Sequence, residues 1–181
     1  TTDDNTGITN VTFNTIDNTT VGAPAYSDYS SITTTVAPNT THNLSIRVNT
    51  DGNFTVFAKA WIDWSGADTN FTSAAVYDLG SITNNPDGAP SLSPVAITIP
   101  AGQAAGSYRM RVRAVYGSTA VPVPCGNQNY SEAEDYTIIV DPIAAVNDSQ
   151  LSQAVIYPNP TSDILNVKGI NVKSVQIFDM S

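Results

Sequence analysis

The sequence predicts an all-β fold, an antiparallel β-sandwich of the jelly-roll or Ig-like kind. Apolar and polar residues alternate with a period of two in one segment after another, and helical periodicity does not recur. Gly, Pro and Asn punctuate these segments, which is typical of sandwiches. Apolar residues make up 41% of the chain, enough for a core, whereas charged residues make up only 13%. Thr, Ser and Asn supply the polarity instead, which favours a β-rich extracellular module.

Eight segments in the first part of the chain carry the strand alternation. In order, they are residues 11–13, 32–36, 44–48, 54–63, 74–77, 96–99, 108–115 and 134–140. Residues 54–63 are almost continuously apolar, so we expect a central strand there with both faces covered. The preceding Asp51-Gly52 pair supplies the positive φ angle of a tight turn.

The composition of the chain changes after Asp141. Residues 1–141 form the predicted sandwich, and residues 142–153 contain turn residues without alternation, which indicates a linker. Alternation returns in residues 154–181, but this block has room for only three short strands, too few for an independent core. It therefore either packs on the first domain or is part of a second domain.

Charge and composition exclude several classes of protein. The formal net charge is −9, which argues against a nucleic-acid binder and against a polybasic membrane anchor. No apolar run approaches the length of a transmembrane span, and we find no signal peptide at Thr1. The single cysteine, Cys125, excludes an intrachain disulfide.

Residues suited to nucleophilic catalysis are scarce. His42 is the one histidine, and no Gly-x-Ser-x-Gly elbow accompanies it. A dyad of His42 and Cys125 stays open from sequence, but we interpret His42 as a half-exposed polar residue and Cys125 as a small buried one. Phosphate-binding glycine loops do not occur. We therefore expect no catalytic residues and no enzyme activity.

Both glutamates of the chain lie in an acidic motif at residues 131–136. Glu132, Glu134 and Asp135 place three carboxylates within four residues, and these repel one another unless cations compensate. A glycosidase acid and base is one interpretation of the two glutamates. However, residues two apart on a strand point the same way, whereas a catalytic pair must flank the sugar from separate places.

Two kinds of cation can compensate these carboxylates. Arg109, Arg111 and Arg113 alternate with apolar residues, so a strand here carries three guanidinium groups on one face. The alternative is Ca²⁺, which takes roughly six to eight oxygen ligands. A second acidic loop at residues 63–70 has the spaced Asp, Ser and Asn of calcium loops, although a surface Asx turn is its other interpretation. The candidate calcium ligands are Asp63, Asp68, Glu134 and Asp135.

The last block resembles the opening of the C-terminal sorting domain of type IX secretion cargo. The motif that carries this resemblance is Tyr157-Pro158-Asn159-Pro160-Thr161. Its two prolines lack amide donors and hold their neighbours extended, which gives a rigid entry to a strand. Residues 175–180 look like the next strand of that family. The resemblance implies a small Ig-like β-sandwich, of which residues 154–181 would be the first strands.

The first block, roughly residues 7–141, resembles the GEVED domain, a β-sandwich module of large secreted proteins. The acidic motif matches the residues that name the family, with Ser131 in place of Gly and Ala133 in place of Val. The other matching segments are residues 26–29, 60–65, 106–113 and 124–125. The acidic loop departs from the family pattern because no Gly follows Asp68.

Together the resemblances imply a non-catalytic accessory or binding module of a larger protein, secreted or at the cell surface of a Gram-negative bacterium. Its export partner would be the outer-membrane machinery of type IX secretion. Two alternatives stay open. One is an adhesion domain that binds carbohydrate or protein through exposed aromatics, with Tyr26, Tyr29, Trp61 and Trp64 as candidates. The other is the C-terminal accessory part of a secreted protease whose catalytic domain lies upstream.

Overall fold

The computed structural model describes residues 7–21, 25–66, 70–117 and 121–141, and two further strands at 155–157 and 166–168. Within these ranges every regular element is a β-strand, which confirms the predicted all-β class. The strands are β1 (Gly7–Phe13), β2 (Ile16–Thr19), β3 (Tyr26–Val36), β4 (Thr41–Asn49), β5 (Thr55–Ile62), β6 (Ala75–Thr83), β7 (Val95–Thr98), β8 (Gly106–Tyr116), β9 (Ser131–Val140), β10 (Val155–Tyr157) and β11 (Asn166–Lys168). The chain divides into two compact units, Thr1–Pro142 and Ile143–Ser181.

The first unit is a β-sandwich of two sheets. One sheet has four antiparallel strands in the order β2-β1-β4-β7, and the other has five in the order β3-β9-β8-β5-β6. Strand β3 pairs with β9 in parallel, so the prediction of antiparallel pairing is wrong for this pair. The two strands are far apart in sequence and are joined by no hairpin, which leaves their relative direction free.

The core lies between the two sheets. The four-stranded sheet contributes Ile8, Val11, Phe13, Leu44, Ile46, Val48 and Ile97, all fully buried. The five-stranded sheet contributes Val56, Ala58, Ala60, Ile62, Met110, Val112, Tyr136 and Ile138. These residues alternate along their strands, as the sequence periodicity predicts.

The strand boundaries differ from the predicted ones where polar residues or glycine interrupt the alternation. Strand β3 begins at Tyr26, six residues before the predicted start at Ile32. The alternation misses its first half because this half is polar, lies at the sheet edge and precedes a shift in pairing between Asp28 and Thr33. Strand β6 runs on to Thr83, through Gly80 at a φ of 79°, next to a shift in its pairing with β5. A glycine at such an irregularity bends a strand without ending it.

Strand β5 is central in its sheet, between β8 and β6. The turn before it has φ angles of 50° at Asp51 and 99° at Gly52. It joins β4 of one sheet to β5 of the other and so carries the chain across the sandwich.

The second unit contains the antiparallel pair β10 and β11, in which Tyr157 lies opposite Asn166. Tyr157 is the last residue of β10. The rest of the sorting motif, Pro158, Asn159, Pro160 and Thr161, lies outside the described residues, as do the predicted linker and residues 175–180. No helix long and apolar enough to cross a bilayer occurs in the described ranges.

Candidate functional site: the acidic motif of strand β9

The acidic motif forms the first half of β9, and its carboxylates point to opposite faces of the five-stranded sheet. Glu134 lies opposite Val112 of β8, on the face toward the core, whereas Asp135 lies opposite Arg111, on the outer face. Glu132 shares the inner face with Glu134, because side chains two apart on a strand point the same way. All three carboxylates are buried, with at most 2% exposed.

The inner carboxylates face an irregularity in β1 of the other sheet. The pairing of β1 with β4 shifts between Ile8 and Asn10, so one extra residue bulges out and both Ile8 and Val11 point into the core. Opposite Ile8, the backbone of Val48 exchanges its hydrogen bonds with Gly88 instead. The backbone amide and carbonyl groups of Ile8 therefore need other partners.

Side chains from and near the acidic motif supply those partners. The Ile8 amide donates to Glu132 Oε2 at 2.7 Å. The Ile8 carbonyl accepts from the Thr20 hydroxyl at 2.8 Å, and that hydroxyl lies 3.0 Å from Glu134 Oε1. The two glutamates thus reach across the sandwich and hold the β1 bulge, one directly and one through Thr20.

Tyr136, two residues further along the inner face, completes this network. Its hydroxyl donates to Glu134 Oε2 at 2.7 Å and accepts from Asn18 Nδ2 of β2 at 2.9 Å. Burial raises the pKa of Glu134 above its ordinary value, because the charged form loses its hydration. Burial and the neighbouring Glu134 also raise the pKa of Tyr136 far above its ordinary value.

On the outer face, Asp135 is neutralised by arginine. Arg111 binds it with both ends of the guanidinium group, Nε to Oδ1 at 2.6 Å and Nη2 to Oδ2 at 2.8 Å. The Tyr26 hydroxyl donates to Oδ2 at 3.0 Å, and Arg109 Nη1 lies 3.2 Å from it. The Arg111 guanidinium also lies over the rings of Tyr26 and Phe71, at 5.5 Å and 4.7 Å from their centroids. The hydrogen bonds to Asp135 raise the pKa of Arg111.

Arg113 does not join the carboxylates, contrary to the arginine interpretation of the motif. Its Nη1 donates to the Val123 carbonyl at 3.0 Å, and its Nη2 donates to the Gly126 carbonyl at 3.0 Å and the Ser131 hydroxyl at 2.9 Å. Arg113 therefore holds the loop before β9. Arg111 holds the same loop through the Pro124 carbonyl at 2.8 Å.

The three candidate calcium ligands that the structure describes, Asp63, Glu134 and Asp135, do not all face one point. Glu134 and Asp135 lie on opposite faces of β9 and cannot coordinate one ion. Asp63 is buried and forms an Asx turn, in which Oδ1 accepts from the Ser65 amide and hydroxyl. Asp68 lies outside the described residues. Among the residues that the structure describes, no group of three or more His, Cys, Asp or Glu side chains could hold a metal ion.

The residues considered for catalysis have structural partners. The inner glutamates share one face and are buried, so they cannot flank a sugar from two sides. His42 Nε2 lies 2.9 Å from the Thr40 hydroxyl, and burial lowers the pKa of His42. Cys125 Sγ lies 3.2 Å from the Asn70 carbonyl oxygen, so the two members of the conceivable dyad have separate partners.

The four candidate aromatics for ligand binding differ in exposure. Tyr26 is 47% exposed. Trp61 is buried on the outer side of β5, whereas Trp64 and Tyr29 pack against the core from the sandwich edges.

The part of the chain from β5 to β9 is similar to a known domain family. Residues 57–139 match the GEVED domain family. GEVED domains are small β domains that are often found in extracellular proteins. The GEVED match begins in β5 and ends in β9, and it includes the arginine strand and the acidic motif. No curated protein matches the sequence significantly.

The sequence alone does not identify the residues that complete the hydrogen-bond network around the acidic motif. Thr20 and Asn18 lie before the matched segment, on or next to β2, and the bulge at Ile8 depends on pairing with β4. One signal was available: Ile8 and Val11 are both apolar and three apart, which strict alternation does not allow.

Proposed function

We propose that this chain is a non-catalytic extracellular accessory module of a larger protein that type IX secretion exports. The observation that carries this proposal is the internal use of the acidic motif. Its carboxylates are at most 2% exposed and bind the bulge, Thr20 and the arginines. Carboxylates that are engaged in this way hold a fold together. The match to a domain family common in extracellular proteins supports the same proposal.

The export part of the proposal rests on the second unit. The motif from Tyr157 to Thr161 and the pairing of β10 with β11 support a sorting domain there. Its partner would be the outer-membrane type IX machinery of a Gram-negative bacterium, and the mature protein would be released or held at the cell surface.

An export assay tests this part. The full-length protein that contains this chain is expressed in a bacterium with type IX secretion and in a strain without the outer-membrane translocon. We expect surface or medium localisation only in the first strain, and retention when Pro158 and Pro160 are both replaced by Ala. Pro86→Ala, in an exposed loop of the first unit, is the matched control. Equal export from both strains would contradict the proposal.

A turnover assay tests the non-catalytic part. The purified chain should hydrolyse neither peptides nor glycosides above the uncatalysed rate. Hydrolysis of a glycoside that Glu134→Gln abolishes would show that the inner carboxylates are catalytic and would overturn this part.

Calcium is a separate proposal, confined to Asp63, Asp68 and Asp135. An ion bound only by the folded state raises the melting temperature by mass action. Melting curves with EDTA and with added Ca²⁺ therefore decide it. A rise of several degrees that Asp63→Asn removes supports the site, and superimposable curves exclude it.

A further inference from the structure

The outer face of the five-stranded sheet contains a cavity that the proposed function does not use. Its volume is about 240 Å³. It lies among the start of β3, strands β8 and β9, and the loop before β9. The residues that line it include Tyr26, Arg111, Arg113, Cys125, Asn127 and Ser131.

This face carries a small excess of cations although the chain as a whole is acidic. The net charge is −9, with only 7 Lys and Arg in the whole sequence. Four of these lie on this face: Arg109, Arg111 and Arg113 alternate along β8, and Lys59 of β5 lies directly opposite Arg113. Among the described residues, three carboxylates share this face: Asp28 and Asp135 lie beside Arg109, and Asp78 lies directly opposite Lys59. The remaining excess of one positive charge favours an anionic ligand.

Of the three guanidinium groups of β8, that of Arg113 pairs with no carboxylate of the described residues. Arg111 and Arg109 share Asp135, and Arg109 also lies 4.0 Å from Asp28. Arg113 is only 5% exposed, and its hydrogen-bond partners among the described residues are two carbonyl oxygens and a hydroxyl. Its buried Nε has no hydrogen-bond partner in the described part of the chain.

A buried cation without a counter-ion is unfavourable. Burial and the neighbouring Arg111 both lower the pKa of Arg113, although guanidinium stays charged at any physiological pH. The dipoles of the Val123 and Gly126 carbonyls offset part of this cost. An anion in the adjacent cavity would offset more, because water screens the charge of a buried guanidinium less than that of an exposed one.

We propose that this cavity binds the carboxylate group of a small acidic ligand of hexuronic-acid size. Arg113 supplies the attraction, and the ring of Tyr26, a residue that is 47% exposed, supplies an apolar wall for the sugar ring. The volume equals that of about eight liquid waters, at roughly 30 Å³ each, which is enough for one such ring. The guanidinium of Arg113, which pairs with no carboxylate of the described residues, matches the single carboxylate of such a ligand. The proposal does not depend on the route of export.

The single cysteine of the chain makes the cavity testable without a charge mutation. Cys125 lines the cavity, so alkylation with N-ethylmaleimide places a bulky group inside it. Calorimetric titrations of the intact chain with galacturonate, galactose and sulfate are compared before and after alkylation. The Cys125→Ser variant treated with the same reagent is the control, since it cannot be alkylated there.

We expect galacturonate to bind, more weakly as salt is added, and galactose not to bind. Alkylation should weaken binding at least about tenfold in the parent chain and leave it unchanged in Cys125→Ser. Arg113→Gln should weaken it similarly in samples whose circular dichroism matches the parent. Absence of galacturonate binding, binding that alkylation does not affect, or a preference for sulfate over galacturonate would each overturn the proposal.

Discussion

The two faces of β9 accommodate negative charge in opposite ways. On the inner face, Glu134 lies among apolar core residues, and this burial raises its pKa although its contacts with the hydroxyl groups of Tyr136 and Thr20 lower it. On the outer face, its neighbour Asp135 is equally buried but is bound by two arginines and a tyrosine. The difference shows that the face of the strand, and not burial alone, decides which groups a carboxylate holds in place. An inner carboxylate positions backbone groups of the other sheet, and an outer one organises a cluster of cations.

We expect the largest loss of stability from a substitution on the outer face. Asp135→Asn keeps the side-chain shape but leaves Arg111 and Arg109 without their shared anion. Breaking a buried ion pair on one side typically costs about 3–5 kcal/mol, and we expect a loss of free energy of unfolding in that range. Denaturant titration of the whole chain measures it.

The matched control is the exposed pair of Arg47 and Asp87, whose side chains are 46% and 54% exposed. Asp87→Asn should cost less than about 1 kcal/mol, because solvent screens such pairs. A similar cost for both variants would remove the distinction between the buried cluster and an ordinary surface pair.

The next largest effect concerns the inner network. Tyr136→Phe removes the hydroxyl that donates to Glu134 and accepts from Asn18. Unsatisfied buried polar groups cost about 1–3 kcal/mol, which is the expected loss in free energy of unfolding. Tyr77→Phe is the control, since the half-buried Tyr77 hydroxyl has a long contact of 3.4 Å with Trp64 Nε1. If both variants unfold at the same denaturant concentration, the inner network does not stabilise the fold more than the contact of Tyr77 does.

The smallest change in stability at neutral pH is expected for Glu134→Gln, but with a distinct pH dependence. A folded-state pKa above the ordinary value of 4.5 means that the folded protein holds this proton where the unfolded chain releases it. The contribution of Glu134 to stability is therefore largest at low pH and declines as the pH rises from 4.5 through the raised pKa. Glutamine cannot titrate, so that decline should be absent from the variant.

The geometry also favours glutamine at this position. The Thr20 hydroxyl has one proton but lies within hydrogen-bonding distance of both the Ile8 carbonyl and Glu134 Oε1. A glutamine amide can donate to Thr20 and leave its proton for Ile8. We expect the free energy of unfolding at pH 7 to equal or exceed that of the parent. A loss of several kcal/mol would show that the ionised carboxylate is needed. A pH profile identical to that of the parent would show that the titration of Glu134 does not contribute to stability.

Much of this architecture could be predicted from local pattern. Alternation alone identified most strands of the sandwich, and spacing alone placed Glu132 and Glu134 on one face and the three arginines of β8 together. These predictions succeed because a strand fixes side-chain direction with a period of two.

The remaining features depend on contacts between distant segments. The parallel pairing of β3 with β9, the bulge beside Ile8 and the role of Thr20 arise only when the sheets assemble. Arg113 was expected to meet a carboxylate, but the carbonyls of the loop before β9 reach it instead. A polar side chain can hydrogen-bond to several different partners, and the spacing of residues in the sequence does not show which of them it binds.

The central claim is that the outer half of the motif is held by a direct coupling between Arg111 and Asp135. A double-mutant cycle with Arg111→Met, Asp135→Asn and the double variant measures that coupling through free energies of unfolding. We predict a coupling of about 1–3 kcal/mol, whereas the equivalent cycle at the exposed pair of Arg47 and Asp87 should show no coupling beyond experimental error. Additive effects at Arg111 and Asp135 would contradict the account.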